Sequence, residues 1–130
     1  MQADRFDHLF LSPSNYDATL AFYRDSLGWA VTASWGGNGR TRGCTLSGGG
    51  VAIAIAEPHD AKDHSWSHGV NGIRPTLHLA VDDLDAKYRE VAAHGHVVVE
   101  PETTHWGARW FVVRDPDDNL IAYNEAPKPR

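Results

Sequence analysis

The chain has 130 residues, of which 42% are hydrophobic and 22% are charged, and its formal net charge is −5. This length and composition predict one soluble globular domain, or two small ones that share a core. The acidic balance argues against a nucleic-acid interface and against a polybasic membrane-binding patch. No apolar run approaches the roughly 20 residues that span a bilayer. We therefore expect neither a nucleic acid nor a membrane among the partners.

Two features indicate where the protein works. The first ten residues contain no basic segment followed by an apolar one, as a signal peptide would. Cys44 is the single cysteine, which excludes an intramolecular disulfide and fits a reducing compartment. We therefore expect a cytoplasmic protein in which Cys44 is a small buried hydrophobic residue.

The first half of the chain predicts one strand, one helix and three further strands. Alternating residues predict a strand over 7–11, and apolar residues at helical spacing predict a helix over 16–27 that ends at Gly28. Glycine-rich turns then separate three more predicted strands, over residues 29–35, 43–47 and 51–57.

The second half repeats this order of elements. A strand is predicted over 76–81 and a helix over 84–93, closed by Gly95. The three strands that follow are predicted over residues 96–100, 108–114 and 119–125. The repeat indicates two copies of one supersecondary unit.

Matching residues place the two halves in one register. Asp17 and Asp85 are separated by 68 residues, as are Glu57 and Glu125. We therefore predict an α+β fold of two tandem βαβββ modules that form a single domain over 1–130. The predicted bounds are about 5–57 for the first module, 58–73 for a polar linker and about 74–125 for the second module.

Alternation along the strands assigns the two faces of each predicted sheet. Odd-numbered positions carry large apolar side chains, such as Ile53 and Leu79, which suit packing beneath a helix. Even-numbered positions mix alanines with polar and aromatic residues, such as Ala54 and His78. Because alanine leaves space where a core needs bulk, we expect the even-numbered faces to line a central cleft in a barrel-like open sheet.

Several short motifs occur in the order and spacing of a known family. They are His8 followed by Phe22-Tyr23 and Leu27-Gly28, then Val81-Asp82-Asp83-Leu84, and finally Trp106-Gly107 and Asp115-Pro116-Asp117-Asp118-Asn119. In this order they resemble the vicinal oxygen chelate superfamily, which includes glyoxalases, bleomycin resistance proteins and extradiol dioxygenases. The resemblance covers essentially the whole chain and implies the same fold of two βαβββ modules.

The metalloenzymes of that superfamily hold a divalent ion with His and Glu side chains on four concave strands. The resemblance places these four ligand positions at His8, Ala54, Thr76 and Ala122. Only the first is an ordinary metal ligand, and the neighbouring His78 and Asn124 do not supply the carboxylate of a 2-His-1-carboxylate site. We therefore expect no metal and no other cofactor, with a divalent metal as the alternative.

Other histidines are candidate metal ligands or cleft residues. His64 and His68 have the i, i+4 spacing that places two imidazoles on one face of a helix. The serines beside them and Gly69 favour a solvated loop instead. His105 and Trp106 precede the seventh predicted strand, where the resemblance places a loop at the rim of the cleft.

We expect a metal-independent small-molecule binding protein, similar to the drug-sequestering resistance proteins of the superfamily. Small-molecule pockets are mostly apolar with a few oriented polar groups, and tryptophan holds flat ligands. The expected partners are a planar or aromatic ligand, such as an antibiotic, and a second copy of the chain in a twofold dimer. The predicted ligand-binding residues are His8, Phe10, Trp35, Ala54, Trp66, Thr76, His78, His105, Trp106, Trp110, Ala122 and Asn124.

Two other functions fit the same observations. One is a glyoxalase-like lyase, isomerase or dioxygenase with an altered metal site, or a metal-free catalyst that uses His8 or His78. Either histidine suits acid–base catalysis because imidazole titrates near neutrality. The other is a domain that only dimerises. Glutamate in place of Ala54 or Ala122 would have favoured a metalloenzyme.

Overall fold

The computed structural model describes residues 2–4, 6–57, 75, 77–104 and 107–125. The chain divides into two compact units, which we call unit 1 (Met1–Gly69) and unit 2 (Val70–Arg130). Over the described ranges, no helix is long and apolar enough to cross a membrane. The predicted linker and four predicted site residues lie outside the described residues; these four are Trp66, Thr76, His105 and Trp106.

Unit 1 follows the predicted order of a strand, a helix and three strands. β1 (Leu9–Leu11) leads into α1 (Tyr16–Ala21), which continues as a π-helical segment (Phe22–Ser26). The remaining strands are β2 (Ala30–Gly37), β3 (Arg40–Ser47) and β4 (Ala52–Ala56). In the sheet the order is β1-β4-β3-β2, with β1 parallel to β4 and the other neighbours antiparallel.

The helix of unit 1 begins as predicted but changes its winding. The side chain of Asn15 accepts a hydrogen bond from the N–H of Ala18 at 3.0 Å and so caps α1. Further along, the N–H of Leu27 donates to the carbonyl of Phe22 at 3.0 Å, which is the i to i+5 bond of a π-helix. This wider turn accompanies the burial of two adjacent aromatic side chains, Phe22 and Tyr23.

Unit 2 repeats the topology of unit 1. Its elements are β5 (Leu77–Ala80), α2 (Leu84–Ala92), β6 (Val97–Thr103), β7 (Arg109–Arg114) and β8 (Leu120–Glu125). The sheet order is β5-β8-β7-β6, again with one parallel pair, β5 and β8, and antiparallel neighbours elsewhere. The predicted α+β fold with two βαβββ modules is confirmed.

β6 is longer than the sequence predicted. The expected strand stops at Glu100, whereas the structure continues it through Pro101 to Thr103. Proline lacks a backbone N–H and is therefore tolerated mainly in edge strands. β6 lies at the edge of its sheet, so Pro101 interrupts no interior ladder.

The helix-facing side of the unit 1 sheet carries the core. Ile53 and Ile55 of β4 are 0% exposed. Cys44 pairs with Ile55 across β3 and β4 and is itself buried. Burial, together with the nearby thiol of Cys44, raises the pKa of the Tyr16 hydroxyl above its ordinary value. The predicted odd-numbered core face of β4 and the predicted burial of Cys44 are both confirmed.

Unit 2 places its core on the corresponding side. Phe111 and Tyr123 are cross-strand partners whose rings stack with centroids 5.0 Å apart. Tyr88 of α2 meets the Phe111 ring edge-on at 5.3 Å. Since α2 packs on this side, the even-numbered residues of β8 lie on the opposite side of the sheet, as predicted.

The residues that set the repeat register take part in ion pairs and hydrogen bonds of their own units. In unit 1, the guanidinium of Arg42 donates to Asp17 of α1 at 2.9 and 3.2 Å and to Glu57 at 3.1 Å. These hydrogen bonds hold the pKa values of both carboxyl groups below their ordinary range. These contacts join the start of the helix to the ends of two strands.

Unit 2 repeats much of this arrangement. Arg109 donates to Asp85 of α2 at 3.2 and 3.4 Å. Glu125 accepts the N–H of Leu84, the first residue of α2, at 2.6 Å. In both units the matched aspartate of the helix therefore pairs with an arginine of the sheet. The glutamates differ, since Glu57 accepts from that arginine and Glu125 accepts from the helix backbone.

Candidate functional site

The face of the unit 2 sheet opposite α2 carries polar and aromatic side chains from all four strands. Four of them, which we call the open-face cluster, are His78 of β5, Glu102 of β6, Trp110 of β7 and Asn124 of β8. Trp110 lies opposite Glu102 on one side and opposite Asn124 on the other. Directly opposed residues on neighbouring strands point to the same face, so this register fixes the side on which Trp110 lies.

Short contacts connect the members of the open-face cluster. The rings of His78 and Trp110 are nearly parallel, with centroids 6.3 Å apart and an interplanar angle of 21°. The indole N–H of Trp110 donates to Oε1 of Glu102 at 2.9 Å. The amide nitrogen of Asn124 lies 3.2 Å from Nδ1 of His78. The cluster is thus held together before any ligand arrives.

The hydrogen bonds of Asn124 determine the tautomer of neutral His78. The amide nitrogen of Asn124 also lies 3.3 Å from the carbonyl oxygen of Ala122. A carbonyl oxygen only accepts, so this end of the amide is the NH₂ group and it donates to both partners. His78 Nδ1 therefore accepts, and the ring proton lies on Nε2. This leaves one N–H donor on His78 and one acceptor oxygen on Asn124.

Among the described members of the predicted site in unit 2, Ala122 is the fully buried one. It is 0% exposed and lies between His78 and Val112, its two cross-strand neighbours. His78, by contrast, is exposed, and Trp110 and Asn124 are half-buried. The accessible groups of this face include the imidazole, the indole, the amide and the carboxylate of Glu102, whereas Ala122 is buried.

The corresponding face of the unit 1 sheet is aromatic. Phe10 is 49% exposed and lies opposite Ala54, which is itself buried. Trp35 is 48% exposed and lies opposite Gly43. A Cβ atom placed on Gly43 would lie 2.3 Å from two atoms of the Trp35 indole, so the ring rests directly on the glycine.

Two residues of these faces were missed in the sequence. A glycine inside a strand often marks a close approach of another group, and Gly43 carried that signal. Glu102 carried none, because β6 contains register shifts between Val97 and Val99 and between Val99 and Glu102. Such irregularities interrupt the simple alternation from which faces are read.

His8 is placed differently from the prediction. It was expected within a strand over 7–11, but β1 begins at Leu9, where pairing with Ile53 starts. Nδ1 of His8 lies 2.5 Å from a carboxylate oxygen of Asp7. The His8 and Asp7 side chains are 44% and 91% exposed. Asp7, the residue that precedes His8, is therefore its carboxylate partner.

The described residues do not fit the metal-ligand set of the superfamily. The methyl groups of Ala54 and Ala122 supply no ligand atom. Glu57 and Glu125, the nearest carboxylates in sequence, are bound on the helix side of their sheets. Within the described part of the chain, no three His, Cys, Asp or Glu side chains are grouped so that they could hold a metal ion.

A comparison with protein families matches most of the chain. Residues 5–123 match the model described as the Glyoxalase/Bleomycin resistance protein/Dioxygenase superfamily. A search of curated protein sequences found no match.

Several solved structures share the fold over nearly their whole length. An antibiotic binding protein from Streptomyces sp. CB03234, TnmS3, is 22% identical with a TM-score of 0.74, covering 98% of this chain and 99% of that chain. A protein of unknown function from Agrobacterium tumefaciens str. C58 is 25% identical with a TM-score of 0.69, covering 98% of both chains. A glyoxalase/bleomycin resistance protein/dioxygenase from Nocardioides is 18% identical with a TM-score of 0.74, covering 100% of this chain and 88% of that chain.

Proposed function

The chain belongs to the glyoxalase/bleomycin resistance protein/dioxygenase superfamily, and we propose that it binds a flat aromatic small molecule without a metal. The observation that carries this proposal is the open-face cluster of unit 2. It combines a tryptophan surface, an oriented N–H donor on His78 and an acceptor on Asn124. Few oriented polar groups beside apolar surface are typical of small-molecule sites.

Stacking supplies much of the expected binding energy. An aromatic pair contributes about 0.5–1.5 kcal/mol beyond the area that it buries, and burial adds about 25 cal/mol per Å² of apolar surface. One neutral hydrogen bond contributes about 0.5–1.5 kcal/mol in total. Replacing Trp110 by alanine should therefore weaken binding more than replacing His78.

Unit 1 supports the proposal with its own aromatic face. Phe10 and Trp35 each leave about half of their surface exposed. Each exposed ring offers apolar surface on which a flat ligand can stack. Sequestration of an antibiotic is the role we propose for such binding, and the fold similarity to an antibiotic binding protein is consistent with it.

A twofold dimer is also part of the proposal. β2 is an edge strand of its sheet, and seven of its eight residues are exposed. Exposed edges of this kind are ready to pair with another chain. Light scattering at micromolar concentration should give twice the mass of the chain, and a monomer would contradict this part.

One observation favours a second function. The Asp7 carboxylate at Nδ1 of His8 leaves Nε2 of that ring as the atom that can take up or release a proton. A metal-free lyase or isomerase that uses His8 as acid–base catalyst is therefore the alternative. Loss of such a group lowers the rate by about 10²–10⁴.

The two functions are separated by titrating flat aromatic compounds while following tryptophan fluorescence. Each compound is then recovered and identified by mass spectrometry. A binding protein quenches saturably and returns the compound unchanged, and Trp110→Ala weakens binding more than His8→Ala. His78→Ala is measured in the same titration. Its control is His94→Ala, since His94 is exposed just after α2. Conversion of a compound that stops in His8→Ala would overturn the binding function.

A further inference from the structure

We infer that the open-face cluster of unit 2 selects positively charged aromatic ligands and that Glu102 makes this selection. The inference rests on the proposed function, because it specifies the ligand class for the same face. Glu102 belongs to the cluster through its hydrogen bond with the indole of Trp110. It therefore places a carboxylate at the rim of the surface on which a flat ligand would stack.

Within the part of the chain that the structure describes, no neighbouring cation neutralises the charge of Glu102. None of the ion pairs among the described residues includes Glu102. The hydrogen bond from Trp110 comes from a neutral donor and leaves the negative charge in place. Other carboxylates of unit 2 are bound on the helix side: Asp85 by Arg109, and Glu125 by the N–H of Leu84.

Glu100 shows how specific this placement is. Glu100 and Glu102 are two residues apart on β6, and simple alternation would put both on one face. Tyr88 of α2 nevertheless donates a hydrogen bond to Glu100, while Glu102 pairs across the sheet with Trp110. The register shift between Val99 and Glu102 accounts for the difference. The carboxylate of Glu100 thus lies on the helix side of the sheet, and the carboxylate of Glu102 lies on the open face.

Among the described residues of unit 2, the arginine on the open face does not offset the charge of Glu102. Arg114 lies at the far end of β7, four residues or roughly 13 Å from Trp110, and its guanidinium pairs with Asp118 at 3.4 Å. His78 is the other titratable member of the cluster, and its Nδ1 lies 3.2 Å from the amide nitrogen of Asn124. The chain as a whole carries a net charge of −5, which also attracts cations.

A cationic aromatic ligand satisfies both parts of this surface. Its ring stacks on the indole of Trp110, whose face attracts positive charge. Its charge lies close to the carboxylate of Glu102. A neutral ligand gains only the stacking, and an anionic ligand meets the carboxylate as a like charge. We therefore expect affinity to fall in the order cation, neutral compound, anion.

Glu102 also acts as a positioning residue for Trp110, and two variants separate its roles. Glu102→Gln keeps a carbonyl oxygen that can accept the indole N–H but removes the charge. Glu102→Leu removes both. Glu100→Gln is the matched control, because it removes the same charge from the same strand on the helix side.

The experiment titrates three compounds with one tricyclic frame: proflavine as the cation, acridone as the neutral compound and acridine-9-carboxylate as the anion. Binding is measured by tryptophan fluorescence at low and high salt, for the wild type and the three variants, after circular dichroism has confirmed folding. We expect Glu102→Gln to weaken proflavine about fivefold, which is the size of a good exposed ion pair, and to change acridone less than twofold. Glu102→Leu should weaken both compounds, and high salt should reduce only the proflavine preference.

The outcomes distinguish the proposed binding function from the proposed charge selection. Equal affinity of the wild type for all three compounds would overturn the charge selection while leaving the binding function in place. The same effect of Glu100→Gln and Glu102→Gln would also overturn it, because net charge would then be responsible. Failure of all three compounds to bind would overturn the proposed function and the selection together. If Glu102→Leu does not fold, Glu102→Gln alone decides.

Discussion

Replacing Gly43 by alanine tests the aromatic face of unit 1 directly, because Trp35 rests on this residue. The added Cβ would lie 2.3 Å from Cε2 and Cζ2 of the indole and 2.5 Å from Nε1. Carbon atoms in contact are about 3.5–4.0 Å apart, so the ring must move by more than about 1 Å. Trp35 is 48% exposed on an edge strand, and we therefore expect the indole to swing outward while the strands stay paired.

The structure separates the effect on stability from the effect on binding. Alanine is more favourable than glycine inside a strand by about 0.5–1 kcal/mol, and this gain opposes the contacts that the displaced ring loses. The free energy of unfolding should therefore change by less than about 1 kcal/mol. A flat ligand that stacks on Trp35 should lose about 0.5–1.5 kcal/mol, which is roughly a 2- to 13-fold weaker affinity.

Fluorine NMR of protein labelled with 5-fluorotryptophan reports the position of the ring, with Trp35→Phe assigning its resonance. Urea unfolding gives the stability, and titration with proflavine gives the affinity. Gly50→Ala is the control, because a Cβ there meets no heavy atom within 4 Å. Neither Gly43 nor Gly50 has a positive φ, so backbone strain does not distinguish the two variants.

Two results would refute the reasoning. An unchanged Trp35 resonance in Gly43→Ala would show that the indole does not rest on the glycine, and an unchanged affinity would show that the ligand does not stack on Trp35. A loss of more than about 3 kcal/mol of stability, outside the range of a surface substitution, would show that the ring cannot move and that Gly43 supports the sheet.

Three further predictions concern single groups. The buried hydroxyl of Tyr123 has no hydrogen-bond partner among the described residues, so Tyr123→Phe should raise the free energy of unfolding in urea by about 1 kcal/mol; a loss would reveal a hidden partner. Arg42 lowers the pKa values of Asp17 and Glu57, so their stabilisation is complete above the ordinary carboxyl pKa values and is lost as pH falls through the lowered ones. Thermal unfolding measured against pH should therefore show a flatter acid limb in Arg42→Met, and an unchanged limb would exclude this linkage. Nitrogen NMR of neutral His78 should find the ring proton on Nε2, and a proton on Nδ1 would contradict the assigned orientation of its asparagine partner.

The local sequence pattern was sufficient to predict the order of the helices and strands and much of the core. The helical spacing over 16–27 and the alternation along β4 and β8 involve only neighbours in sequence. The burial of Ile53 and Ile55 followed from that alternation. The repeated order of predicted elements identified the second module, and the offset of 68 residues between matching residues agreed with it.

The register between strands decided where the side chains of the candidate site lie. This register depends on hydrogen bonds between segments far apart in the chain. Alternation along β7 left two choices for Trp110, and only pairing with β8 chose between them. Glu102 reached the same face through a register shift that no periodic pattern contains. The contact of Trp35 with Gly43 likewise arises from pairing between β2 and β3. A strand's own sequence determines which residues share a face, whereas its partners determine where that face lies and what it meets.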